Sequence, residues 1–148
     1  MKRAIIFLLS VFSPLLASAA DSAVSANAPV INFKLTLLND EGSRSSLLRG
    51  SEARYISDKQ IDLVGMQYTT YLKDGTNEID STLLAPTASV FINNKDVKVH
   101  GDEGVRLIRT NLDVSGERWT YDDKPLKRIL IEKNVRVVFG IELKNILK

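Results

Sequence analysis

The 148-residue chain has no cysteine, a single histidine, a single tryptophan and only four prolines. The missing cysteine excludes a disulfide framework and an acylated-cysteine lipid anchor, so the domain must hold itself together by packing. With one histidine and no cysteine, a zinc site would have to be built from carboxylates almost alone. No Gly-x-Ser-x-Gly elbow and no glycine-rich phosphate loop occur in the sequence. These absences make the chain read as non-catalytic, without metal or cofactor.

A lasting excess of charge is absent too. The chain carries 20 Lys and Arg against 18 Asp and Glu, but two of the basic residues, Lys2 and Arg3, belong to an N-terminal leader. After them come an apolar run over 4–12, Pro14, and the small residues Ala17-Ser18-Ala19. This order of positive, apolar and small-residue segments is that of a secretory signal peptide over 1–20, cleaved after Ala19 or Ala20. An uncleaved membrane anchor is the weaker reading, because a spanning helix needs about 20 uninterrupted apolar residues. Cleavage leaves 18 basic and 18 acidic side chains, which removes the electrostatic case for a nucleic-acid partner. About 128 residues remain, enough for one domain with a core.

Residues 21–29, small and polar, read as a flexible leader, and the domain as 30–148. From Val30 onward short runs alternate apolar and polar residues with the period of half-buried strands. Ile31, Phe33, Leu35 and Leu37 form one such run, Val97 and Val99 another, Val105 and Leu107 a third, and Val135, Val137 and Phe139 a fourth. Turn signals separate them at Asn39-Asp40-Glu41-Gly42, Lys73-Asp74-Gly75 and Gly101-Asp102-Glu103-Gly104. Only 141–148 could be helical. A weak repeat places Lys59, Lys95 and Lys124 at successive turns, which suits stacked hairpins of a β-roll or jelly-roll.

Few side chains invite a chemical role. His100 lies on an alternating strand beside a glycine and reads as solvent-facing. Asp102-Glu103 and Asp122-Asp123 fall at predicted turns, where such residues cap local backbone groups, and adjacent strand residues point to opposite faces. Trp119 and Tyr121 share one strand face, with Tyr68 and Tyr71 elsewhere; they could fill a core or line an apolar groove. The long C-terminal run 129–139, rich in β-branched residues, is either a central strand or an edge that can template another protein's strand.

Several segments resemble the OstA-like domain of periplasmic lipopolysaccharide-transport (Lpt) proteins, LptA and LptC. They are Gly50-Ser51-Glu52-Ala53-Arg54-Tyr55, Lys73-Asp74-Gly75, Leu84-Ala85-Pro86-Thr87-Ala88, Val97-Lys98-Val99-His100-Gly101, the stretch 112–122 and the run 129–139. The resemblance implies an all-β chain folded as one elongated β-jelly-roll, the β-taco, open along one side. It also implies a periplasmic location, lipopolysaccharide or another lipid sheltered in the groove, and end-to-end joining to other Lpt-type β-jelly-rolls through edge strands, with no catalysis. A cleavable N-terminus matches the soluble A-type component. By alternation, Val97, Val99, Val105, Leu107, Trp119, Tyr121, Ile129 and Ile131 are the candidates for the lipid-facing inner surface, and Val135, Val137 and Phe139 for the partner-binding edge. The competing reading is a periplasmic adaptor that binds only proteins.

Overall fold

Every apolar alternation in the chain becomes a β-strand. The computed structural model describes residues 28–140; the signal segment, most of the flexible leader and the helical expectation for 141–148 lie outside the described residues. The strands are β1 (Val30–Leu38), β2 (Arg44–Tyr55), β3 (Gln60–Tyr71), β4 (Ile79–Asn93), β5 (Asp96–Arg109), β6 (Leu112–Asp122) and β7 (Arg128–Phe139). They pair antiparallel in sequence order as one seven-stranded open sheet, with β1 and β7 as its two edges. The described residues are therefore all-β. Lys59, Lys95 and Lys124 stand in the β2–β3, β4–β5 and β6–β7 connections, all at the same end of the meander.

One expectation is corrected. Gly101-Asp102-Glu103-Gly104 does not close a hairpin; it lies inside β5, which runs unbroken from Asp96 to Arg109. Glycines and acidic residues suit a turn and a bulge alike, and here the ladder resumes in register with the same partner strand. Gly101 pairs with Trp119 and Gly104 with Glu117, so three steps on β5 match two on β6.

That bulge belongs to a line of irregularities crossing the whole sheet. The pairing is interrupted at Asn32 in β1, Gly50 and Ser51 in β2, and Gly65 in β3, then between Leu84 and Ser89, Gly101 and Gly104, and Ser115 and Glu117. Positive φ angles occur at Asn32, Gly65, Arg118 and Asn134 on this line; the remaining positive-φ residues, Gly42, Gly75, Asn77, Asn94 and Asn111, sit in turns. At Gly65 the left-handed backbone (φ +60°) switches the buried parity of β3 from Ile61 and Leu63 to Met66, Tyr68 and Thr70. Pro86 in β4 falls on the same line, where the interrupted ladder needs no N–H donor.

At this line the strands bend, and the sheet folds over into two leaves. The first leaf holds the strand halves 33–38, 44–50, 66–71, 79–85, 104–109, 112–117 and 133–139; the other halves form the second. Strands that are not neighbours in the sheet meet across the fold. The Tyr68 ring in β3 lies 5.6 Å from that of Tyr121 in β6. Asp40 in the β1–β2 turn pairs with Lys95 in the β4–β5 turn, and Asp80 in β4 pairs with Lys127 after β6 at 2.8 Å. These contacts join elements roughly three strands apart in the sheet order, as expected when a twisted sheet folds obliquely.

The core fills the space between the leaves. Phe33, Leu48, Leu63, Met66, Tyr68, Leu83, Val90, Val97, Val99 and Trp119 are buried in one continuous cluster. Gly101 makes room for it: a Cβ there would come within 2.9 Å of three atoms of the Trp119 indole.

Candidate interaction edge and inner face

The oblique fold leaves each leaf overhanging the other at opposite ends. Along one cross-strand row of the first leaf, Tyr68, Leu83, Leu107, Val114 and Val137 are successive partners. Their exposures run 1% and 1%, then 8%, half-buried, and 45% at β7. In the second leaf the row Val99, Val90, Ile61, Tyr55 runs from 0% and 0% through 6% to 46% at β2. The inner face is closed in the middle and uncovered at both ends.

The lipid-face candidates follow this gradient. Val97, Val99, Val105, Leu107, Trp119 and Tyr121 all point inward and are buried, 8% exposed or less. Ile129 and Ile131, on β7, are half-buried against the same cluster. The three edge candidates Val135, Val137 and Phe139 share that inner face, because they continue the side of Val114, but among the described residues they stay open to solvent: 53%, 45% and 66% of their surface is exposed. The sequence left open whether this run was an edge or a central strand; the sheet order makes β7 an edge.

Backbone geometry sharpens the point. The Gly140 amide donates to the Asn111 carbonyl at 3.0 Å, and from there pairing is regular to Ser115 opposite Arg136. Hydrogen-bonded pairs alternate along an antiparallel ladder. Val138 and Arg136 therefore bond to β6, while the N–H and C=O groups of Phe139, Val137 and Val135 point outward. The same three residues thus offer free backbone groups at the sheet edge and apolar side chains to the inner face.

Ion pairs line the outer face of the same strands. Arg106 grips Asp113 through two nitrogens, with contacts of 2.6–3.1 Å, which holds the Asp113 carboxyl below its ordinary range. Arg128 and Lys98 both reach Asp122, at 3.1 and 3.7 Å. Asp123 turns the other way and accepts the Tyr121 hydroxyl at 3.2 Å, so the two adjacent carboxylates do not converge. Burial, first of all, raises the pKa of Tyr121 and Tyr68 well above the ordinary phenol range.

A feature the sequence reading missed lies on the outer face beside the bend. A concavity of about 390 Å³ is lined by Glu52, Arg54, Asp62, His100, Asp102 and Glu103 among others. Reading residues 101–104 as a turn hid it, since only their place inside β5 brings Asp102 and Glu103 beside strands β3 and β4. His100 is exposed there. Among the described residues no three His, Asp or Glu side chains are arranged to hold a metal ion.

Comparison of the sequence with protein-family models and with curated proteins gives no match.

Proposed function

We propose that this chain is a non-catalytic bridging module of the periplasm, similar to the OstA-like Lpt components, which extends its sheet through the β7 edge and meets lipid on the uncovered inner strip. The observation that carries the reading is the overhang at β7. There, outward backbone groups coincide with exposed, inward-facing Val135, Val137 and Phe139. An added strand would satisfy those groups and continue the sheet, and a second folded sheet would cover the strip. The complementary overhang around Val30 and Tyr55 at the opposite end supports the same end-to-end geometry. In this reading the folded sheet is the β-taco of that family. Lipopolysaccharide or another lipid touches the half-buried Ile129 and Ile131 and the exposed strip, while Val97, Val99 and Trp119 serve as core.

The adaptor reading, protein partners only, draws its support from the closed inner face over Val97, Val99 and Trp119. Photo-crosslinking separates the two. With benzophenone side chains at Val137 and Phe139 in the exported protein, capture of lipopolysaccharide together with a β-rich protein is expected, and none from Val99 or Leu107. Capture of protein without lipid selects the adaptor; capture of neither by a folded protein defeats both.

A further inference from the structure

The connection over residues 123–127 crosses from β6 to β7 at the rim where the strand ends of the two leaves meet. It buries no apolar side chain of its own: Leu126 is 78% exposed, and Lys124, Pro125 and Lys127 are exposed as well. Polar contacts hold it. Lys127 Nζ reaches Asp80 on the facing leaf at 2.8 Å, and Lys124 Nζ reaches Asp96 at 2.8 Å. The Asp123 amide donates to the Val97 carbonyl at 3.0 Å. Asp80 is also fixed from its own leaf by Arg109 at 2.9 Å, so its carboxylate stays in place whether or not Lys127 is bound.

Beneath this segment lies an unsatisfied group. The Tyr68 hydroxyl is buried without a well-formed hydrogen bond, only the Ser46 side chain lying near it, and its ring packs edge-on against Tyr121, whose own hydroxyl is bound to Asp123. A buried hydroxyl without a partner loses its hydration. Closing the segment therefore gains one exposed ion pair, Lys124–Asp96, and one partly buried pair, Lys127–Asp80, at the expense of keeping Tyr68 dry. No apolar burial by the segment adds to that gain.

We propose that residues 123–127 form a strap, clasped by Lys127 on Asp80, that opens as an independent local unit and admits solvent or ligand to the inner face beside Tyr68, Tyr121 and Ile129. The strap stands on its own contacts and holds whether the occupant of the inner face is lipid or nothing. Releasing it leaves the sheet intact, because its only ladder-like bond is that of the Asp123 amide.

Amide hydrogen exchange of the full domain reads this directly. Replacing Lys127 with Met removes the clasp charge from an exposed position while Arg109 continues to hold Asp80. The Asp123 amide is expected to exchange about threefold to fivefold faster in Lys127→Met, as the loss of one such ion pair implies, with the Val99 and Leu107 amides unchanged. In the unsubstituted protein, raising salt from about 0.01 M to about 1 M, which shortens the screening length from about 30 Å to about 3 Å, should act on Asp123 in the same direction and leave Val99 alone. If Asp123 exchange does not respond to either change, or rises in step with Val99 and Leu107, the strap does not open as a separate unit.

Discussion

Adding one methyl group at Gly101 tests whether the bend of β5 is shaped around Trp119. An alanine Cβ at this position would stand 2.7 Å from the indole Nε1, 2.8 Å from Cε2 and 2.9 Å from Cζ2, where carbon contacts normally lie at about 3.5–4.0 Å. Trp119 is 1% exposed and paired directly opposite Gly101, so the ring cannot swing into solvent. Overpacking of this kind costs about 1–3 kcal/mol, while replacing glycine by alanine recovers about 0.4–1 kcal/mol by stiffening the unfolded chain. The net loss for Gly101→Ala is about 0–2.6 kcal/mol, a fall in Tm of up to roughly 10 °C for a domain of this size. Gly104, three residues along the same bulge, has nothing within 4 Å of its Cβ position and no positive φ. Gly104→Ala is therefore expected to leave Tm unchanged or raise it slightly. Thermal unfolding followed by circular dichroism and by the emission of the single tryptophan measures both. Equal shifts of the same sign in the two variants would refute the packing of the indole against Gly101.

Two further outcomes follow from the burial gradient and the rim charges. Leu83→Ala, at a 1% exposed position, should cost about 2–5 kcal/mol in urea unfolding. Val137→Ala, in the same cross-strand row but 45% exposed, should cost under about 0.5 kcal/mol if nothing covers β7 in the isolated protein. Burial raises the Asp80 pKa, but the hydrogen bonds and charges of Lys127 and Arg109 outweigh it and leave the carboxyl below its ordinary value. Its stabilising contribution is thus complete above the unfolded value of about pH 4 and is lost as pH falls through the lower folded one. Urea midpoints measured downward from neutral pH should fall less steeply below about pH 4 in Asp80→Asn than in the parent, and an unchanged acid slope would contradict the pairing.

The strands were legible because their alternation has a period of two within each stretch between the bends. Val97 with Val99, Val105 with Leu107, and Trp119 with Tyr121 all face inward as that period implies. The fold-over was not legible. It depends on residues with no common signature: an asparagine at 32, a glycine at 65, an arginine at 118 and an asparagine at 134 take positive φ, and Pro86 and the 101–104 bulge supply the rest. Each is locally indistinguishable from a turn or an ordinary strand residue, which is why 101–104 read as a hairpin end. The edge position of β7 was equally hidden, since charges such as Lys133 and Arg136 suit an edge but do not require one. The outcome depended on the sheet staying open, a property of all seven strands together.

The bridging account rests on the outward-facing backbone of β7, and Val137→Pro tests it most directly. Proline removes the Val137 N–H, which points away from β6, so the isolated domain should keep its fold, its Tm within a few degrees and the buried emission of Trp119. Crosslinked capture of a β-rich partner from Phe139 should be lost at the same time. A folded Val137→Pro protein that still captures the partner at full yield would contradict the account. So would a protein that unfolds, because the Val137 amide would then belong to the internal ladder.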